Sequence, residues 1–179
     1  MSPASHQDEA GSNSRPSPAS RPKITPCLWY DGDGEEAARF YVSLLPGSRI
    51  DHVQKNVNDT PAGPKGSVLV VEFTLAGQRF VALNGGRKAE YSHAVSFQID
   101  CADQAEVDRL WDAILKNGGR EEACGWIRDR WDVPWQIVPR GLLDMISDPD
   151  PAKASRAMQS MMEMVKLDIA TIRRAFDGG

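Results

Sequence analysis

From residue 23 onward, runs of period-two and helical hydrophobic spacing follow one another in an order that predicts the fold. Residues 23–30 are an apolar-rich run ended by Asp31-Gly32-Asp33-Gly34, a strand and then a turn. Residues 35–45 place Ala37, Ala38, Phe40, Tyr41, Leu44 and Leu45 at helical spacing, stopped by Pro46-Gly47. Residues 48–57 predict a second strand, and 58–66, with Pro61 and Pro64, a loop. Residues 67–75 alternate cleanly, Ala76-Gly77 turns the chain, and 78–84 resume the alternation, which is a hairpin signal.

The same order then returns. Residues 93–99 read as a strand, 103–116 as a helix ended by Asn117-Gly118-Gly119, and 120–125, 126–131 and 133–138 as three strands. Asp33, Glu36, Arg39, Tyr41 and Leu44 lie 70 positions before Asp103, Glu106, Arg109, Trp111 and Ile114. Amphipathic helices resemble one another by default, so a shared face alone decides little. The matching strand order on both sides makes internal duplication the reading. The expected fold class is α+β: two βαβββ modules, about 23–85 and 93–139, in a paired domain over 23–147.

Two segments lie outside the modules. Residues 1–22 are Ser, Pro, Ala and Asn with scattered charges and little to bury, so a disordered tail is expected. The tail lacks the apolar stretch of a signal peptide, and Asp8 and Glu9 do not suit a transit peptide; His6 falls within it. At the other end, 148–179 predicts one long amphipathic helix, with Asp150 as cap and Pro151 in its first turn. Met158, Met161, Met162, Val165, Ile169 and Ile172 then recur every three or four residues, a stripe that packs on the domain or on a second subunit.

Composition narrows the function classes. A net charge of -4 over 179 residues provides no basic field for nucleic acid or an anionic membrane surface. No apolar run reaches the length of a membrane-spanning helix. Three cysteines without a CxxC spacing suggest reduced thiols in a cytoplasm. The alternative, a catalytic thiol, has no His beside any of the three in sequence.

Four stretches carry a family resemblance: CLWYDGDGEEAARFY, VEFTLAGQRFVALNGG, AVSFQIDCADQAEVDRLWDAI and CGWIRDRWDVPWQIVP. Together they resemble the PhnB-like family of the vicinal oxygen chelate (glyoxalase-like) superfamily, often labelled 3-demethylubiquinone-9 3-methyltransferase. The C-terminal SRAMQSMMEMVKLDIATIRRAF is similar to that family's extra helix. The methyltransferase label finds no support in the residues. A Rossmann unit needs a Gly-rich turn between strand and helix, whereas Asn84-Gly85-Gly86 and Gly118-Gly119 follow a strand pair and a helix.

The resemblance implies a cupped mixed sheet whose concave face holds one divalent metal, and assembly as a homodimer. The metal would act as a Lewis acid on neighbouring substrate oxygens. Its ligands would be His, Glu or Gln on the first and last strands of the modules. His93, opening the fifth strand, and Gln136 are the candidates this implies. Anchoring on the helix repeat moves the His93 slot to Ser96. The first strand offers only Ile24, Thr25 or Pro26, and the fourth only Asn84. Trp29, Trp131 and Trp135, with Asn84, are the candidate lining of a ligand pocket, although tryptophans at alternate strand positions also serve as core. Parity places Glu72 opposite Val71 and Phe73, facing outward. Asp132 stands where the family's turn carries glycine; Asp tolerates a left-handed conformation better than most residues.

Three functions follow for comparison. The first in rank is a binder of a small molecule on the concave face, of unassigned activity. The second is a metal-dependent enzyme acting on a substrate with adjacent oxygens. The third is a metal-free dimeric interaction module.

Overall fold

The computed structural model of the chain describes residues 22–179, so all but Pro22 of the expected tail lies outside the described residues. Two units are present, dividing between Ala89 and Glu90.

The first unit runs β1 (Cys27–Tyr30), α1 (Gly34–Leu44), β2 (Arg49–Lys55), β3 (Val68–Leu75) and β4 (Gln78–Asn84). Its sheet has the order β1-β4-β3-β2. β1 pairs in parallel with β4, and the other pairings are antiparallel. The β3–β4 turn puts Ala76 at φ 46 and Gly77 at φ 87, the left-handed conformations that match the twist of a two-residue hairpin. Period-two alternation turns Leu28, Tyr30, Val71, Phe73, Phe80 and Ala82 to one face, where Ala37, Ala38, Tyr41 and Leu44 of α1 cover them. Within this layer Tyr41 lies against Phe73, Phe73 stacks on Phe80, and the Tyr30 and Tyr41 hydroxyls share a 3.0 Å hydrogen bond. Each such aromatic stabilises the unit by about 1.5–3 kcal/mol through burial.

The second unit repeats the plan with β5 (Phe97–Cys101), α2 (Gln104–Lys116), β6 (Arg120–Glu121), β7 (Trp126–Arg128) and β8 (Pro134–Pro139). The sheet order β5-β8-β7-β6, with β5 parallel to β8, reproduces that of the first unit. Two separate four-stranded mixed sheets with the same connectivity are what duplication of a βαβββ module requires. α2 starts where its capping residues direct: Asp103 accepts from the Glu106 amide, and Glu106 reaches back to the Ala102 amide at 2.8 Å.

Two local expectations need correction. The strand expected over 120–125 stops at Glu121, because Cys124 and Gly125 adopt φ 58 and φ 80 and donate their amides to Met164 and Val165. The helix expected over 148–179 is two helices, α4 (Pro151–Met162) and α5 (Ile169–Asp177), preceded by a short α3 (Leu142–Ile146). The break at 163–168 leaves Met164 and Val165 carbonyls for that pairing, sinks Leu167 into the core, and ends at Asp168, which caps α5 through the Thr171 amide. Val138, Leu142, Met145, Ala157, Leu167 and Ile172 form the resulting hydrophobic cluster. Arg156 of α4 locks α5 by donating to the Ala175 and Phe176 carbonyls at its C-terminal end.

Candidate functional site

Pairing register assigns the opposite face of the first sheet, the one turned away from α1. Trp29 stands across from Leu83, and Leu83 across from Val70; one step along, Val81 stands across from Glu72, and Arg79 across from Thr74. Trp29, Val70, Val81 and Leu83 are half-buried, an apolar surface bordered by charge. Trp29 is fixed at its edge. Its indole donates to the Arg87 carbonyl at 2.8 Å, the Arg87 guanidinium lies 5.7 Å from the ring centre, and Gly85 backs the ring so closely that a Cβ there would overlap it.

The charged border consists of Glu72 and Arg79. Arg79 Nη2 donates to Glu72 Oε2 at 2.7 Å, with the side chains only 15% and 8% exposed. Glu72 faces away from α1 as parity requires, yet it is buried. Beside them Thr74 donates to Asp51 Oδ2, and Arg49 pairs with Asp51 at 2.8 Å. Arg79 Nη1 is buried and meets no hydrogen-bond partner among the described residues.

Asn84 serves the fold. Its Oδ1 accepts from the Gly34 amide at 2.9 Å and its Nδ2 donates to the Val68 carbonyl, so it ties the start of α1 to the sheet. Gly34 is required there, since a Cβ would come within 2.8 Å of Asn84 Oδ1. The β1–α1 turn is therefore closed by a side-chain amide, and Asp31, Asp33, Glu35 and Glu36 surround it with negative charge. A cofactor phosphate finds no cradle at this turn.

In the second unit, Trp135 and Ile137 face the α2 side with Ile127, and Gln136 faces the other. Trp135 is 2% exposed and its indole donates to Asp129 Oδ2, which makes it a core residue rather than a pocket wall. Asp129 Oδ1 accepts from the Trp131 and Val133 amides, so one buried carboxylate organises the whole 129–133 turn. The expectation for Asp132 holds: it adopts φ 68, its carboxylate pairs with Arg120, and its carbonyl accepts from Arg128. Trp131 is half-buried in this turn, with the Arg130 guanidinium 4.5 Å above its ring.

His93 lies in a turn ahead of β5, not in the strand, and is 58% exposed. Its Nε2 meets Glu122 Oε2 at 2.7 Å and its Nδ1 lies 3.2 Å from Arg128 Nη2, while the ring rests edge-on against Trp126. Arg128, only 7% exposed, also binds Glu122 Oε1 and the Tyr91 and Asp132 carbonyls. Burial pushes the Glu122 carboxyl up, but hydrogen bonds from His93 and Arg128 together outweigh it and hold the group below its ordinary value. Gln136 Nε2 donates to Ser96 Oγ at 2.9 Å. Of the two slots weighed for the fifth strand, Ser96 is the one beside Gln136.

These residues do not fit a divalent metal. Both His93 nitrogens are engaged, one of them with a permanent cation, and Gln136, whose Nε2 donates to Ser96, offers only its neutral Oε1. No group of three His, Cys, Asp or Glu side chains converges among the described residues. Nor is there a reactive thiol in the core: Cys101 is fully buried, and burial together with the charges of Glu106 and Asp100 pushes it up to about 12. No helix among the described residues is long and apolar enough to cross a membrane.

Residues 22–138 match the model of the family described as 3-demethylubiquinone-9 3-methyltransferase. The chain belongs to this PhnB-like family. A solved PhnB protein from Bacillus cereus, described with the same methyltransferase name, is 28% identical with a TM-score of 0.59. That match covers 66% of this chain and 99% of the relative. A protein from Pseudomonas aeruginosa is 20% identical with a TM-score of 0.50, covering 66% of this chain and 98% of its own. Comparison with curated proteins finds no match.

Sequence reasoning missed Arg79 and Asp129. Arg79 had a usable signal, since it follows the hairpin turn at a position whose parity matches Glu72. Asp129 had none, being one of several charges in the run Arg128-Asp129-Arg130-Trp131-Asp132.

Proposed function

We propose that this PhnB-like protein binds a small molecule on the face of its first sheet turned away from α1. The supporting observation is the half-buried apolar row Trp29, Leu83 and Val70, with Val81 beside it, held rigid by the Gly85–Arg87 backing and bordered by an ion pair. A planar ligand gains dispersion and burial against such a row, and the indole supplies a flat contact at low entropic cost. Trp29 is the tryptophan this reading assigns to the ligand.

Methyl transfer is not part of the reading, because the strand–turn–helix that would hold a nucleotide-like cofactor is closed by Asn84 and ringed with carboxylates. Metal-assisted catalysis is not part of it either, given the donor set around His93 and Gln136. A homodimer and a reducing, cytoplasmic setting complete the proposal; the former rests on the family and the latter on three free cysteines.

The test is amide and indole chemical-shift mapping of the labelled protein against a library of small aromatic compounds. Shifts that cluster on Trp29, Val70, Val81 and Leu83 support the reading. A library without hits on that face sinks it.

A further inference from the structure

We infer that the ligand of this face carries an uncharged oxygen acceptor, a ketone or amide carbonyl, that Arg79 Nη1 receives. The inference rests on the binding face proposed above and specifies what the ligand must present. A guanidinium holds five N–H donors in a rigid fork and is never deprotonated in a protein. Glu72 engages Arg79 through Nη2 to Oε2, while Nη1 is buried without a hydrogen-bond partner among the described residues. Native interiors rarely leave such a donor unmatched. An acceptor arriving with the ligand would complete it once the guanidinium, whose side chain is 15% exposed as a whole, turns Nη1 from its buried position toward the face.

Charge decides the kind of acceptor. Glu72 already balances Arg79, and Asp51 balances Arg49 on the neighbouring strand. A carboxylate or phosphate would add a net negative charge within reach of two buried acids, which a low-dielectric surface disfavours. A neutral carbonyl oxygen satisfies the donor and adds no charge. The ligand's body is set by the register: Arg79 and Leu83 are four residues apart on β4, roughly 13 Å of strand, with Val81 between them. An apolar bicyclic ring spans from Val81 toward Trp29 while its carbonyl points to Arg79.

The experiment uses two probes of matched shape, 2-acetylnaphthalene and 2-isopropylnaphthalene, titrated calorimetrically into the full chain. The ketone is expected to bind about tenfold tighter than the hydrocarbon. Replacing both partners with apolar residues, Arg79→Met with Glu72→Leu, should leave the fold intact, since apolar exchange of a buried pair is tolerated. In that variant the two probes should bind equally. Glu72→Gln, which keeps Arg79 and needs no repacking, should retain the ketone preference in full. Equal binding of both probes to the wild type overturns the Arg79 role while leaving the binding face standing, as does a preference that survives in the double variant or disappears in Glu72→Gln. If neither probe binds, the face itself is not a site for aromatic ligands and both proposals fall.

Discussion

The indole N–H of Trp135 donates to Asp129 Oδ2 at 2.9 Å, so the side chain with the largest flat surface in β8 is turned inward and held there. Asp129 accepts from two backbone amides as well. Removing it strands three donors at once, two of them buried. Asp129→Ala is expected to destabilise the protein by about 3 kcal/mol or more, against about 1 kcal/mol for Trp135→Phe at the hydrogen bond alone. Urea denaturation of the two single variants and the double checks this, and strong coupling between them is expected.

Gly85 provides a second measurable constraint. A Cβ there would come within 1.8 Å of the Trp29 ring, so Gly85→Ala must push the indole off its seat or strain the turn. Overpacking of this kind costs about 1–3 kcal/mol. Thermal melting reads the cost, and the indole resonance of Trp29 should shift while that of Trp135 stays in place.

Acid stability follows from three carboxyls held below their ordinary values. The Thr171 amide lowers Asp168, hydrogen bonds from Lys166 and Gln104 lower Asp108, and Glu122 is lowered against its burial by His93 and Arg128. A depressed acid contributes stability that is fully present above its unfolded value and is lost as pH falls through the folded one. Denaturation midpoints should therefore hold steady down to the ordinary values near 3.8 and 4.5 and fall below them. Asp168→Asn, which keeps the cap without the charge, should flatten part of that fall.

Thiol reactivity separates Cys27 from Cys101. Cys27 is exposed and Cys101 buried, the latter a thiol held at about 12. In the native protein iodoacetamide should label Cys27, which is accessible although partial burial pushes its thiol up, well before Cys101, which should label only after unfolding, as read by peptide mass mapping. Rapid native labelling of Cys101 would contradict the packing of β5 against β8.

Much of the architecture was legible in the sequence because period and punctuation agreed. Ala76-Gly77 marked the hairpin, and Asn117-Gly118-Gly119 marked the end of α2, since local hydrogen bonding decides both. The break between α4 and α5 was hidden because Met161, Val165, Ile169 and Ile172 keep helical spacing straight through it. Asp168 with Thr171 was the available cap signal. The placement of His93 failed for a different reason: a β-like run around Val95 extended the expected strand, whereas Glu122 and Arg128, distant in sequence, hold the histidine in a turn. No local pattern announces a partner 29 or 35 positions away. The opposite fates of Trp29 and Trp135 were equally closed to parity alone, because both tryptophans alternate correctly and only the covering helix distinguishes the faces.

In each unit the first strand pairs only with the last, β1 with β4 and β5 with β8. During synthesis, β1 must therefore wait without any strand partner until the ribosome has delivered Asn84, and β5 until it has delivered Pro139. Every strand pairing of a sheet lies within one half of the chain, so no pairing spans more than about sixty residues of sequence.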